Sequence, residues 1–107
     1  MIMQINLTPV QRQHLKGLAH ALNPVVMIGH QGLTDAVVRE IAKALDAHEL
    51  IKVRVLGDER EARIAIYEQI CDGLDAAPVQ HIGKLLVLYR PSDKQRITLP
   101  KDKKKKD

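Results

Sequence analysis

Between Pro24 and Leu56 the spacing of the apolar residues changes twice, and this constrains the chain more than any other feature. Val25-Val26-Met27-Ile28 is a short unbroken apolar run closed by Gly29. Val38, Ile41, Ala42 and Leu45 then recur on one helical face, and Ile51, Val53 and Val55 alternate with Lys52 and Arg54. These are the periods of a strand, a helix and a second strand. The unbroken run suggests a strand covered on both faces, in a parallel pairing. The alternation over residues 50–56 predicts one buried and one wet face, with Lys52 and Arg54 projecting together. Thr34 is placed to cap the helix between them, with Asp35 in its first turn and Arg39 and Lys43 pointing away from the core.

The flanking segments extend this pattern. Thr8-Pro9-Val10-Gln11 is a helix start, with a capping Thr, Pro at the first helical position and Gln where a capping box places it. Leu15, Leu18, Ala19 and Leu22 follow as the expected buried stripe, with Arg12, Lys16 and His20 on an adjoining face, and Asn23-Pro24 ends the helix. Gly57-Asp58 breaks the second strand. Residues 59–74 read as a third helix whose apolar stripe is Ile64, Ile66, Tyr67, Ile70, Cys71 and Leu74. Ala77-Pro78 separates it from a strand over 79–82, and Gly83-Lys84 has the length of a hairpin turn into an antiparallel strand over 85–89. Pro91 stops the sheet, 92–100 is an extended segment with Ile97 and Leu99 available for docking, and 101–107 is a disordered Lys-rich tail. The expected architecture is α/β, a two-layer sandwich with a mixed sheet of about four strands in the order α-β-α-β-α-β-β, spanning residues 1–100 as one domain.

Composition narrows the function. The 107 residues include two Tyr and no Phe or Trp, which argues against modules that stack bases on rows of aromatics. The net charge is +4, but the five Lys and two Asp of residues 101–107 supply +3 of it. An anionic partner must therefore meet charge gathered onto one face of the domain, with the tail adding diffuse attraction. The single Cys71 excludes an intrachain disulfide and a Cys-built zinc site. No apolar run approaches the roughly 18 residues that span a bilayer, and no signal-peptide pattern opens the chain. A cytoplasmic location without membrane attachment is expected.

Few residues offer chemistry. His14, His20, His30, His48 and His81 are scattered without an HxxxH or HxH pair, so no metal or other cofactor is expected. Cys71 lies within an apolar helical stripe, the place of a structural thiol rather than a nucleophile. Gly29-His30-Gln31-Gly32 is the remaining feature. It joins a strand to a helix N-terminus, where glycines let backbone N–H groups approach an anion and the helix dipole favours a phosphate. A tight structural turn accounts for the same four residues, and neither a Walker A loop nor a dinucleotide fingerprint is present. Arg12/Lys16, Arg39/Lys43 and Lys52/Arg54 gain interest only from their placement around this loop.

Gln13-His14-Leu15-Lys16-Gly17-Leu18-Ala19-His20, Val26-Met27-Ile28-Gly29-His30-Gln31-Gly32-Leu33-Thr34, His48-Glu49-Leu50-Ile51-Lys52-Val53, Gln80-His81-Ile82-Gly83-Lys84 and Leu88-Tyr89-Arg90-Pro91 occur in that order. With these segments the chain resembles a single CRM domain (chloroplast RNA splicing and ribosome maturation) of the small bacterial YhbY type, over about residues 5 to 100. The resemblance implies a fold like the C-terminal domain of translation initiation factor three and a GxxG loop like that of KH domains. It further implies RNA of large-subunit ribosomal precursors as the partner, with no catalysis and no small-molecule substrate. Carried over by position, the RNA-binding residues are Gly29, His30, Gln31 and Gly32 with Lys16, Lys52, Lys84 and Arg90, and Arg12 joins them beside Lys16. Many relatives carry Lys or Arg between the glycines. Here His30 and Gln31 stand there, so affinity at the loop rests on backbone N–H groups and neighbouring cations. A protein-binding adaptor with an incidental Gly turn is the alternative, and a small enzyme lacks any convincing acid, base or nucleophile constellation.

Overall fold

The computed structural model describes residues 7–92 and residue 97. Its elements are α1 (Pro9–Ala19), β1 (Pro24–Ile28), α2 (Asp35–His48), β2 (Leu50–Val55), α3 (Arg60–Leu74), β3 (Ala77–Ile82) and β4 (Leu85–Tyr89). The class and element order are those expected. One four-stranded mixed sheet runs in the order β1-β2-β4-β3. β1 pairs with β2 in parallel, and β4 is antiparallel to both β2 and β3.

Local chemistry starts two of the helices. Thr8 Oγ1 accepts from Gln11 N at 3.1 Å while Gln11 Oε1 accepts from Thr8 N at 3.1 Å, closing the capping box. Thr34 Oγ1 accepts from Val37 N at 3.2 Å. Each such cap is worth about 1 kcal/mol.

Alternation along β2 and β4 divides the core between the two faces of the sheet. Ile51, Val53, Val55, Leu86 and Leu88 meet Ile41 and Leu45 of α2 and Tyr67 and Ile70 of α3. Leu50, Val87 and Tyr89 point the other way and pack with Leu15 and Ala19 of α1. Thus α2, α3 and the sheet form a sandwich, and α1 adds a partial layer on the opposite face. Ile41 and Leu45 are wholly buried, which stabilises the fold by about 1.5–3 kcal/mol each.

Several expectations for individual residues are corrected. β1 is an edge strand with only one covered face: Val26 and Ile28 are buried, whereas Val25 and Met27 are 47% and 57% exposed. The reason is that α1 lies over β2, β4 and β3 and leaves the outer face of β1 open. Leu18 is likewise exposed. In α3 the buried positions are Arg63, Tyr67 and Ile70, with Ile64 at the surface. Pro78 lies inside β3 rather than before it. That is possible because β3 is an edge strand and the register shifts between Pro78 and Gln80, so the missing N–H interrupts no central ladder.

Glu49, buried and at φ 67°, caps α2 and anchors the segment after β4. Its carboxylate accepts from Ser92 N at 3.0 Å, from the Ser92 hydroxyl and from Ile97 N at 2.9 Å. Ile97 packs against the α1-side cluster, as expected of a docking residue. Leu99 and the tail 101–107 lie outside the described residues. Among those residues no helix is long and apolar enough to cross a membrane.

Candidate functional site

Three turns meet at one end of the sheet. Because β1 and β2 are parallel and β4 starts opposite Arg54, residues 29–34, 57–59 and 83–84 lie side by side. Leu56 N donates to Ile28 O at 2.9 Å and Val55 N to Lys84 O at 2.8 Å, fixing the three relative to one another. Both long helices begin at this end, so the positive ends of two helix dipoles point towards it.

In the Gly29–Gly32 loop, Gly32 N donates to Gly29 O at 3.0 Å, which leaves His30 and Gln31 exposed at the tip. Thr34 N then donates to Gly32 O at 3.1 Å and leads into the cap of α2. Gly32 sits at φ 77°, a left-handed conformation that favours glycine. Gly29 differs in having no positive φ, and at both glycines no atom beyond the chain neighbours lies within 4 Å of where a Cβ would stand. Neither the turn conformation nor the packing therefore requires a glycine at position 29. Between this loop and Gly57-Asp58-Glu59 opens a cavity of 360 Å³, whose floor includes Val55, Ala62 and Arg63.

The structure does not gather the expected cations onto one face. Lys84 lies at the loop end, 3.3 Å from Asp58 in an exposed ion pair, an interaction worth about 0–1 kcal/mol and readily exchanged for a phosphate. Arg12 and Lys16, both half-buried, belong to α1, on the other side of the sheet from α2. Lys52 is on that side too, and its Nζ donates to Leu22 O at 3.0 Å. Arg90 is at the far end of the sheet, where it joins α2 to the C-terminus of α3. Its guanidinium donates to Leu74 O at 2.9 Å, to Ala42 O at 3.3 Å and to Asp46 Oδ1 at 2.7 Å. Arg90→Met is accordingly expected to lower stability by about 2 kcal/mol, since three acceptors lose a charged donor. Urea denaturation measures this directly, and a midpoint equal to that of the parent protein would contradict it.

Arg60 and Arg63 at the start of α3 were not singled out by sequence reasoning. Arg63 is only 8% exposed and its Nη1 donates to Gly57 O at 3.0 Å. A signal existed, because positions 63, 67, 70 and 74 share one helical face, but the apolar Ile64 drew the phase to its neighbour. His81 lies nearby, edge-on to Tyr67 with ring centroids 6.0 Å apart. Burial first and then the Arg60 charge hold its pKa below the ordinary value. Among the described residues no group of three or more His, Cys, Asp and Glu could hold a metal ion.

Burial, reinforced by Asp72 and Glu68, pushes the Cys71 thiol up to about 12. The thiolate is therefore scarce at neutral pH. Iodoacetamide at pH 8 is expected to label Cys71 at least about tenfold more slowly than free cysteine; equal rates would show an activated thiol.

Comparison with known proteins decides the family. The CRS1 / YhbY (CRM) domain model matches residues 7–90. The chain belongs to the CRM domain family. A Haemophilus influenzae relative named an RNA-binding protein is 55% identical over 95 residues, covering 89% of this chain and 96% of the relative. The Bacillus subtilis protein YqeI, named a probable RNA-binding protein, is 39% identical over 95 residues, covering 88% and 99% respectively. Among solved structures, the Staphylococcus aureus protein SAV1595, described as a candidate RNA-binding protein, matches with a TM-score of 0.78 and 33% identity. That match covers 89% of this chain and 100% of the other. The CRM fold thus places the Gly29–Gly32 loop, Lys84 and the start of α3 at one end of the sheet, and Arg90 at the other.

Proposed function

We propose that this CRM domain binds RNA and acts as a ribosome-assembly factor on ribosomal RNA in precursors of the large subunit. In this reading the protein is cytoplasmic, holds RNA by its backbone and catalyses no reaction. The observation that carries the reading is Gly29, a glycine that neither the turn nor the packing requires, at the rim of a loop leading into the capped N-terminus of α2. Backbone N–H groups and a helix dipole can hold a phosphate there, with Lys84 beside them. The names of the relatives add support for RNA as the partner. With only two aromatics, contacts to phosphate and ribose outweigh base stacking, and discrimination among sequences is modest.

The experiment is crosslinking of RNA in cells followed by mapping of the contacts, paired with titration of a large-subunit rRNA fragment at several salt concentrations. Enrichment of large-subunit precursor RNA and a steep loss of affinity with salt are expected. Crosslinks spread in proportion to RNA abundance would remove the ribosomal assignment, and absence of RNA binding would favour the adaptor reading.

A further inference from the structure

Arg63 occupies a position that the fold alone does not explain. It is more than nine-tenths buried, yet its Nε has no hydrogen-bond partner among the described residues. Leaving a buried charged donor unpaired is costly, and the cost disappears if a ligand supplies the acceptor. The same side chain lines the 360 Å³ cavity between the Gly29–Gly32 loop and the Gly57–Glu59 turn. That volume is room for on the order of ten water molecules, and so for a phosphate group.

The surroundings suit an anion. The N-cap of α3, Glu59, makes no side-chain cap hydrogen bond, whereas Thr8 and Thr34 cap the other two helices. The first-turn N–H groups of α3 are thus not covered by the capping side chain, and the dipole of a 15-residue helix stands behind them. Arg63 is the cation that lines the cavity, and Arg60 lies in the same first turn of α3, outside that lining. Asp58 and Glu59 also line the cavity and oppose this charge, but both are exposed, so solvent and salt screen them.

From these observations we infer that the cavity between the two loops is an anion site in which Arg63 and the first turn of α3 hold one phosphate group, separate from the contact at the Gly29–Gly32 backbone. The favoured source of that phosphate is the RNA backbone, and this part of the inference rests on the proposed function. Free inorganic phosphate offers the same chemistry.

The test monitors the Arg63 Nε–H resonance by NMR in the whole protein, with inorganic phosphate and with a large-subunit rRNA fragment as separate probes. Arg63→Met, which keeps the apolar stem and removes the donors, is titrated with the same RNA. Both probes are expected to shift the Nε–H signal, and Arg63→Met to weaken RNA binding about five- to tenfold while lowering the salt slope by about 0.7 to 0.9. A shift with phosphate but no RNA binding by the parent protein would keep the anion site and overturn the RNA reading. A signal unmoved by saturating RNA and phosphate would overturn the site, as would a folded Arg63→Met with unchanged affinity and slope. Should Arg63→Met fail to fold, the resonance in the parent protein decides alone.

Discussion

Gly29→Asp is expected to weaken RNA binding by more than tenfold while leaving thermal stability nearly unchanged. Position 29 has no left-handed φ, and an added Cβ meets no protein atom within 4 Å. The free protein therefore accommodates the side chain. A bound phosphate does not, because the Cβ blocks its approach to the backbone and the carboxylate repels it. Gly32→Asp should show a similar loss of binding together with about 1 kcal/mol of lost stability, since φ there is 77°. Fluorescence anisotropy with a labelled rRNA fragment, run beside thermal unfolding, separates the two effects. Wild-type affinity in folded Gly29→Asp would remove the loop from the interface.

Tyr67→Phe is expected to cost about 3 kcal/mol, through a different cause. The Tyr67 hydroxyl accepts from Val79 N at 3.0 Å and Gln80 N at 3.2 Å. It donates to the carbonyl of Val87, with that of Gln80 3.1 Å away. These partners lie where Pro78 and the register shift interrupt the ladder between β3 and β4, so the phenol replaces pairing that the strands cannot make for themselves. Phenylalanine fills the same space and leaves those backbone groups unpaired. For a domain of this size the midpoint should fall by roughly 12–20 °C. A fall of less than about 4 °C would show that the bulge does not depend on the hydroxyl.

The same residue gives stability a pH dependence. Burial, with Cys71 adding to it, holds the Tyr67 pKa above its ordinary 10. The unfolded chain therefore loses this proton at a lower pH than the folded one. The contribution is fully present below about pH 10 and declines as pH rises towards the folded pKa. Unfolding measured from pH 8 to pH 12 should show the decline in the parent protein and a smaller one in Tyr67→Phe.

The sequence by itself determined whatever residues a few positions apart decide among themselves. The Thr8–Gln11 box, the Thr34 cap, the Gly83-Lys84 turn and the alternation of β2 involve neighbours along the chain. The CRM resemblance was legible too, because its segments keep their order. Tertiary structure decided the rest. Nothing local distinguishes the stripe Leu15/Leu18/Ala19/Leu22 from one that buries only Leu15 and Ala19, since the choice depends on how far α1 reaches across the sheet. The unbroken run 25–28 reads as a doubly covered strand until β1 is seen at the edge. The cations illustrate the point best. Arg90 and Lys84 stand only six residues apart in sequence, but an extended strand carries one to the far end of the sheet from the other. There Arg90 meets helix carbonyls brought to it from residues 42 and 74, while Lys84 remains beside the glycine loop. Sequence spacing cannot report such a separation, because a side chain's partners are set by which distant segments the packed sheet brings within hydrogen-bond reach.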